Sequence, residues 1–174
     1  MYIGIDLGTS SIKTVLMDDA QAILATSTFD FSVQRPHEQW SEQEPSQWIE
    51  GIEHTLGDLA SRHKDWMGSV KGIGLSGHMH GATLLDQNDT VLRPCMLWND
   101  TRSHAQAHAM DTPRTRDIAG NIVFPGFTAP KVQWVRENEP TVFERISKVL
   151  LPKDYARLWL SGEYVSDQSD ASGT

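Results

Sequence analysis

Residues 1–19, MYIGIDLGTSSIKTVLMDD, decide how the rest of the chain is read. Two short apolar runs rich in β-branched residues, 2–7 and 12–17, flank the polar turn Gly8-Thr9-Ser10-Ser11, which is the pattern of a β-hairpin. Asp6 lies at the end of the first run and Lys13 at the start of the second. A carboxylate at the end of a buried strand is costly unless a metal, a cation or backbone donors face it. Gly8 allows a tight turn, and the N–H groups and hydroxyls of Thr9, Ser10 and Ser11 can cradle a phosphate. On this reading Asp6 faces the Mg²⁺ that travels with the phosphate, through water because Mg²⁺ dehydrates reluctantly, and Lys13 adds a point charge. A plain hairpin, with Asp6 capping the turn and Lys13 solvated, is the competing reading.

Beyond the hairpin, the run from Ala22 to Val33 follows a turn at Asp18-Asp19 and predicts a third strand of a meander. Pro45 suits the first turn of a helix in which Trp48, Ile49, Ile52, Leu56, Leu59 and Ala60 recur at helical spacing, ending near His63. Val70–Gly77 and Ala82–Asp86 read as strands. The order β-β-β-α-β places the polar turn at one end of a sheet, where open α/β folds bind ligands. Helices are expected over about 101–110 and 129–138. The stretch ERISKVLL leads to a buried strand, and Pro152 starts a helix stopped by Gly162. The last residues, SDQSDASGT, read as turns without a closing element and give the chain the look of a cut piece.

With 174 residues the chain can bury a real core, and it needs no more than one domain. Twenty-three acidic against fifteen basic residues give a net charge of −8, with no basic cluster, which argues against nucleic acid as a partner. No apolar stretch reaches the roughly 18 residues of a membrane span, and no basic leader precedes a cleavage site. Cys95 is the single cysteine, which fits a reducing compartment, so the cytoplasm is expected.

His78 and His80, two apart on a strand, and His104 and His108, four apart on a helix, have the spacing of metal ligands but lack a third partner. Solvent suits His104 and His108 better. Tryptophans 40, 48, 134 and 159 read as packing residues, whereas Trp98 precedes Asn-Asp in a turn and can offer a flat apolar face. Lys153 and Asp154 are read as helix-start residues.

The stretch IGIDLGTSSIKTVLMD resembles the phosphate-binding hairpin of the actin-like ATPase superfamily and, within it, of the FGGY carbohydrate kinases. RPHEQWSEQEPSQW, GIGLSGHMHGATLLD, LRPCMLWNDTRS, GNIVFPGFTAPKVQWVRENEP and KVLLPKDYARLWLSGEYVSDQSDASGT, in this order, narrow the resemblance to the bacterial xylulose kinases of that family. It covers the whole chain.

The resemblance implies an α/β, actin-like ATPase (ribonuclease H-like) fold with a mixed sheet and flanking helices. Residues 1–174 would form the first part of an FGGY N-terminal domain, with the phosphate hairpin at 2–17, a sugar half-site at 76–102 and the C-terminal domain absent. It implies transfer of the ATP γ-phosphoryl group to the C5 hydroxyl of D-xylulose, with ATP and Mg²⁺ as cofactors. By the same resemblance Asp6 acts on the metal, while Gly8, Thr9, Ser10 and Lys13 serve the phosphates. Met79 and His80 match the sugar-contacting pair, joined by His78, Trp98, Asn99 and Asp100. The family's catalytic aspartate lies downstream, so the chain by itself is expected to be inactive, and its uncovered sheet edge is expected to favour self-association.

Two positions depart from the pattern. His78 stands where Gln is usual and adds a titratable group, and Ser11 stands where Gly is common. Two other readings accompany the kinase of xylulose: a stand-alone sugar-binding or regulatory module, and an FGGY kinase for ribulose, fuculose or glycerol. A filament or chaperone ATPase of the superfamily would have no use for Gly77 to Gly81.

Overall fold

Alternation along the first strand sets the architecture. In β1 (Tyr2–Leu7) Ile3, Ile5 and Leu7 are buried, and in β2 (Ser11–Met17) Ile12, Thr14 and Leu16 are, so one face of the hairpin is buried throughout. β3 (Ile23–Asp30) continues the antiparallel meander, β4 (Glu42–Gln43) is a two-residue strand, and α1 (Pro45–Arg62) and α2 (Lys64–Met67) follow. Then come β5 (Ile73–Gly77), β6 (Thr83–Leu85), β7 (Cys95–Met96), α3 (His104–Met110), α4 (Pro113–Ala119), α5 (Thr128–Asn138), α6 (Pro140–Phe143), β8 (Lys148–Leu150), α7 (Pro152–Ser161) and α8 (Gln168–Ala171). This computed structural model describes residues 1–172 and 174; Gly173, part of the expected terminal turn, lies outside the described residues. None of the described helices is long and apolar enough to cross a membrane.

The chain divides into two compact units, Met1–Ser32 with Ser46–His78 and Val33–Pro45 with Met79–Thr174. The first holds a four-stranded mixed sheet in the order β3-β2-β1-β5, with β5 parallel to β1 and the other pairs antiparallel. On α1, Trp48, Ile52, Thr55 and Leu59 fall on one stripe and are fully buried, each large apolar side chain contributing about 1.5–3 kcal/mol. The Thr14 and Thr55 hydroxyls share a 2.7 Å hydrogen bond, which satisfies two polar groups inside this unit.

The second unit is built from shorter pieces. β4 pairs with β7, β6 pairs with β8, and Ala82, Leu84, Met96 and Val135 form a buried cluster against Leu92, Val132 and Trp134. The strand expected from ERISKVLL forms as β8, but it is not buried: it pairs only with β6 and leaves Val149 exposed. The expected terminal turns contain α8, whose start is capped by the Asp167 carboxylate accepting from the Asp170 N–H. The helix expected over 101–110 starts at His104, because Thr101 N–H is drawn to the Gln39 carbonyl and Arg102 is held by Asp100.

Candidate functional site

In the first unit the register of β1 and β2 sets Asp6 directly opposite Lys13, and that of β1 and β5 sets Asp6 opposite Ser76. Because Ile5 and Leu7 point into the core, Asp6 points out. Its carboxylate is exposed rather than buried, so it needs no partner to offset desolvation, contrary to the expectation for a buried strand end. Lys13 is exposed on the same open face. With Gly4, Val15, Gly74 and Ser76 these two line a shallow concavity of about 410 Å³. The turn itself is closed by Gly8 N–H donating to the Ser11 carbonyl (2.9 Å) and by Phe31 N–H donating to the Ser10 carbonyl (3.0 Å). Thr9 is half-buried and Ser10 exposed.

Among the described residues no three His, Cys, Asp or Glu side chains converge as a metal set. One outward carboxylate beside a hydroxyl-rich turn instead fits Mg²⁺ that arrives bound to phosphate and keeps most of its waters, with Asp6 as the residue that would meet it.

His78 closes the first unit. It is buried, its ring packs edge-on against Trp48 at 5.5 Å, and its N–H donates to the Leu7 carbonyl. The ring is thus part of the interior of that unit.

The second unit contains the remaining candidates. Met79 is 45% exposed, and His80 adopts a left-handed backbone with φ of 62°, a conformation that costs a non-glycine residue about 1–2 kcal/mol. The His80 ring rests on Phe127 at 4.7 Å. Gly81 lets this turn settle on its neighbours, since a Cβ there would stand 2.4 Å from Pro152 Cγ and 3.0 Å from Cys95 Sγ. Trp98 is 44% exposed, and Gly126 packs so tightly on the Trp98 carbonyl that a Cβ would lie 2.6 Å from it. Asn99 Oδ1 is buried and carries no hydrogen bond among the described residues.

Asp100 is turned inward and fully buried. Its carboxylate accepts from Arg102 Nε and Nη2 and from Ser41 N–H at 2.7 Å, so its oxygens are committed to the protein. Arg102 reaches on to Glu42 at 2.7 Å and lies over the Trp40 ring at 3.5 Å, with the Trp134 ring 5.1 Å away and edge-on to Trp40. Arg93 links Glu42 to Glu139. The candidate turn Trp98-Asn99 is therefore anchored on a buried ionic network. Burial pushes the nearby Cys95 thiol up to about 12, which makes it inert. His104 and His108 are exposed on α3.

Lys131 is absent from the sequence-derived set. It is fully buried on α5, where its ammonium donates to the carbonyls of His80 (2.7 Å) and Gly126 (2.6 Å). The signal was in the helical spacing: Thr128, Lys131 and Val135 share the buried stripe, so a cation stands where an apolar residue belongs.

Comparisons with known proteins bear on the family and the fold. The chain is 48% identical over its full length to the xylulose kinase of Escherichia coli K12, covering 36% of that protein. It superposes on the crystal structure of a "xyloylose kinase" from Brucella ovis with a TM-score of 0.97 at 56% identity, covering 99% of this chain and 37% of the other. It superposes on the xylulose kinase of Rhodospirillum rubrum with a TM-score of 0.92 at 28% identity, covering 98% and 36%. The chain thus spans about a third of the length of the relatives it matches, and its fold is the actin-like ATPase fold. Residues 1–174 as a whole match the N-terminal domain of the FGGY family of carbohydrate kinases, and the chain belongs to that family.

Proposed function

We propose that this chain is the N-terminal part of a kinase that transfers the γ-phosphoryl group of MgATP to the C5 hydroxyl of D-xylulose. The observation that carries the reading is the left-handed turn at His80, which spends backbone energy to present Met79 and His80 in a sequence 48% identical to a xylulose kinase. The hairpin supplies the other requirement. Gly8, Thr9 and Ser10 offer backbone and hydroxyl donors to the phosphates, Lys13 offers charge, and Asp6 meets the water shell of Mg²⁺, which neutralises charge on the transferring group.

In the second unit His80 bonds sugar hydroxyls, Asn99 offers its unpaired oxygen to another, and Met79 and Trp98 supply apolar faces to the carbon chain. His78 and Asp100 act one step back: the first by packing beneath the strand end, the second by fixing the Trp98-Asn99 turn. None of the aspartates here is assigned as the general base, and the family resemblance places that residue downstream.

The test is a coupled ADP-release assay with MgATP and D-xylulose, run on the 174-residue chain and on the product of the full reading frame, with ribulose and glycerol as rival acceptors. Xylulose-dependent turnover in the longer product alone is the expected result. Turnover in the short chain would overturn the assignment of the base. Preference for a rival acceptor would overturn the substrate, and sugar binding without turnover in either product would favour a sugar-binding module.

A further inference from the structure

The Met79-His80 turn and the loop before α5 have no strand pairing to hold them, yet both end on one buried ammonium. Lys131 Nζ donates to the His80 carbonyl at 2.7 Å and to the Gly126 carbonyl at 2.6 Å. Thr128 Oγ1, one turn earlier on α5, adds a 3.3 Å hydrogen bond to the same His80 carbonyl. Gly126 in turn packs on the Trp98 carbonyl, and Phe127 on the His80 ring. A methionine would fill the same volume without the cost of desolvating a cation. It would, however, strip the Gly126 carbonyl of its side-chain donor and leave the carbonyl of the left-handed His80 with only the long Thr128 hydrogen bond.

We propose that Lys131 is a positioning residue of the sugar site: by joining the carbonyls of His80 and Gly126 it fixes the turn that presents Met79 and His80 and the loop that carries Phe127. It acts through His80 and does not touch the sugar. The proposal rests on the reading of Met79 and His80 as sugar contacts. Burial opposes the charge of this ammonium, Asp100 favours it and Arg102 opposes it, while the Cys95 thiol stays neutral.

Two measurements on the product of the full reading frame decide it. The first is hydrogen exchange of Lys131→Met against wild type. Peptides spanning 78–81 and 124–127 are expected to exchange about tenfold faster, the scale of a lost charge-assisted hydrogen bond, while those of β1 to β3 stay unchanged. Unchanged exchange at both loops, or faster exchange everywhere, overturns the proposal.

The second is steady-state kinetics. kcat/KM for D-xylulose is expected to fall about tenfold or more in Lys131→Met and by less in Thr128→Val, with the KM for ATP within about twofold of wild type. Equal losses for sugar and ATP, or no loss for sugar, overturn it. His80→Ala serves as the separate check: if it leaves sugar kinetics intact, the sugar reading of the turn has failed, and the staple itself is judged on the exchange data.

Discussion

The two units hold their candidate groups in opposite ways. In the first, Asp6 and Lys13 ride on regular strands, and the register that buries Ile5 and Ile12 is enough to bring them to one open face. In the second, Met79, His80, Trp98 and Asn99 sit on turns, and beneath them lies a buried set of charges, Lys131, Asp100, Arg102, Glu42 and Arg93. A strand positions side chains through its ladder, which every residue helps to build. A turn has few such bonds, so its carbonyls and carboxylates must be tied from the interior, and each tie is a single point of failure.

That contrast is broken most easily at Asp100. Asp100→Ala removes the partner of a buried arginine and is expected to lower stability by about 3–5 kcal/mol, read from urea unfolding. A loss near that of a surface substitution would mean that the ionic network is not what anchors the second unit.

Lys131 sharpens it by pH. Burial lowers its pKa from 10.5 to about 8, with Cys95, Asp100 and Arg102 as its charged or titratable neighbours. Below pH 8 both folded and unfolded chains carry the proton and the burial penalty is complete; above 10.5 neither does. Between those values the unfolded chain binds more protons, so wild type should gain stability relative to Lys131→Met by more than about 1 kcal/mol as the pH rises from 8 to 10.5. Parallel pH profiles for the two proteins would count against a buried charge at this position.

The smallest effect belongs to the hairpin. Asp6→Asn is expected to change unfolding free energy by less than about 0.5 kcal/mol, because the group is exposed, while it lowers phosphoryl transfer in the full-length product. A large stability loss there would erase the distinction between the units.

The same distinction explains what the amino-acid sequence disclosed. β1, β2 and α1 were legible because burial forces a period: 3, 5 and 7 with 12, 14 and 16 on the strands, and 48, 52, 55 and 59 on the helix. β4 and β7, with two residues each and formed by pairing with each other, and α2 and α6, with four residues each closed by local backbone hydrogen bonds, are too short to carry any period. The set Met79, His80 and Trp98 came from resemblance rather than pattern. Nothing in HMH announces a left-handed residue, and Asp100 looks like its solvent-facing neighbour until Arg102 and Ser41 are seen to engage it. The exposure of Asp6 was not legible, because the end of an apolar run does not say which face its polar residue takes.

The Arg102 guanidinium lying against the paired rings of Trp40 and Trp134 has an optical consequence. These two indoles and the fully buried Trp48 belong to different units, one set beside a fixed positive charge and the other beside the His78 ring. Keeping one tryptophan at a time would give each unit its own fluorescent reporter. The order in which the strand-built and brace-built units lose structure would then be read by comparing the emission midpoints of the separate single-tryptophan melts.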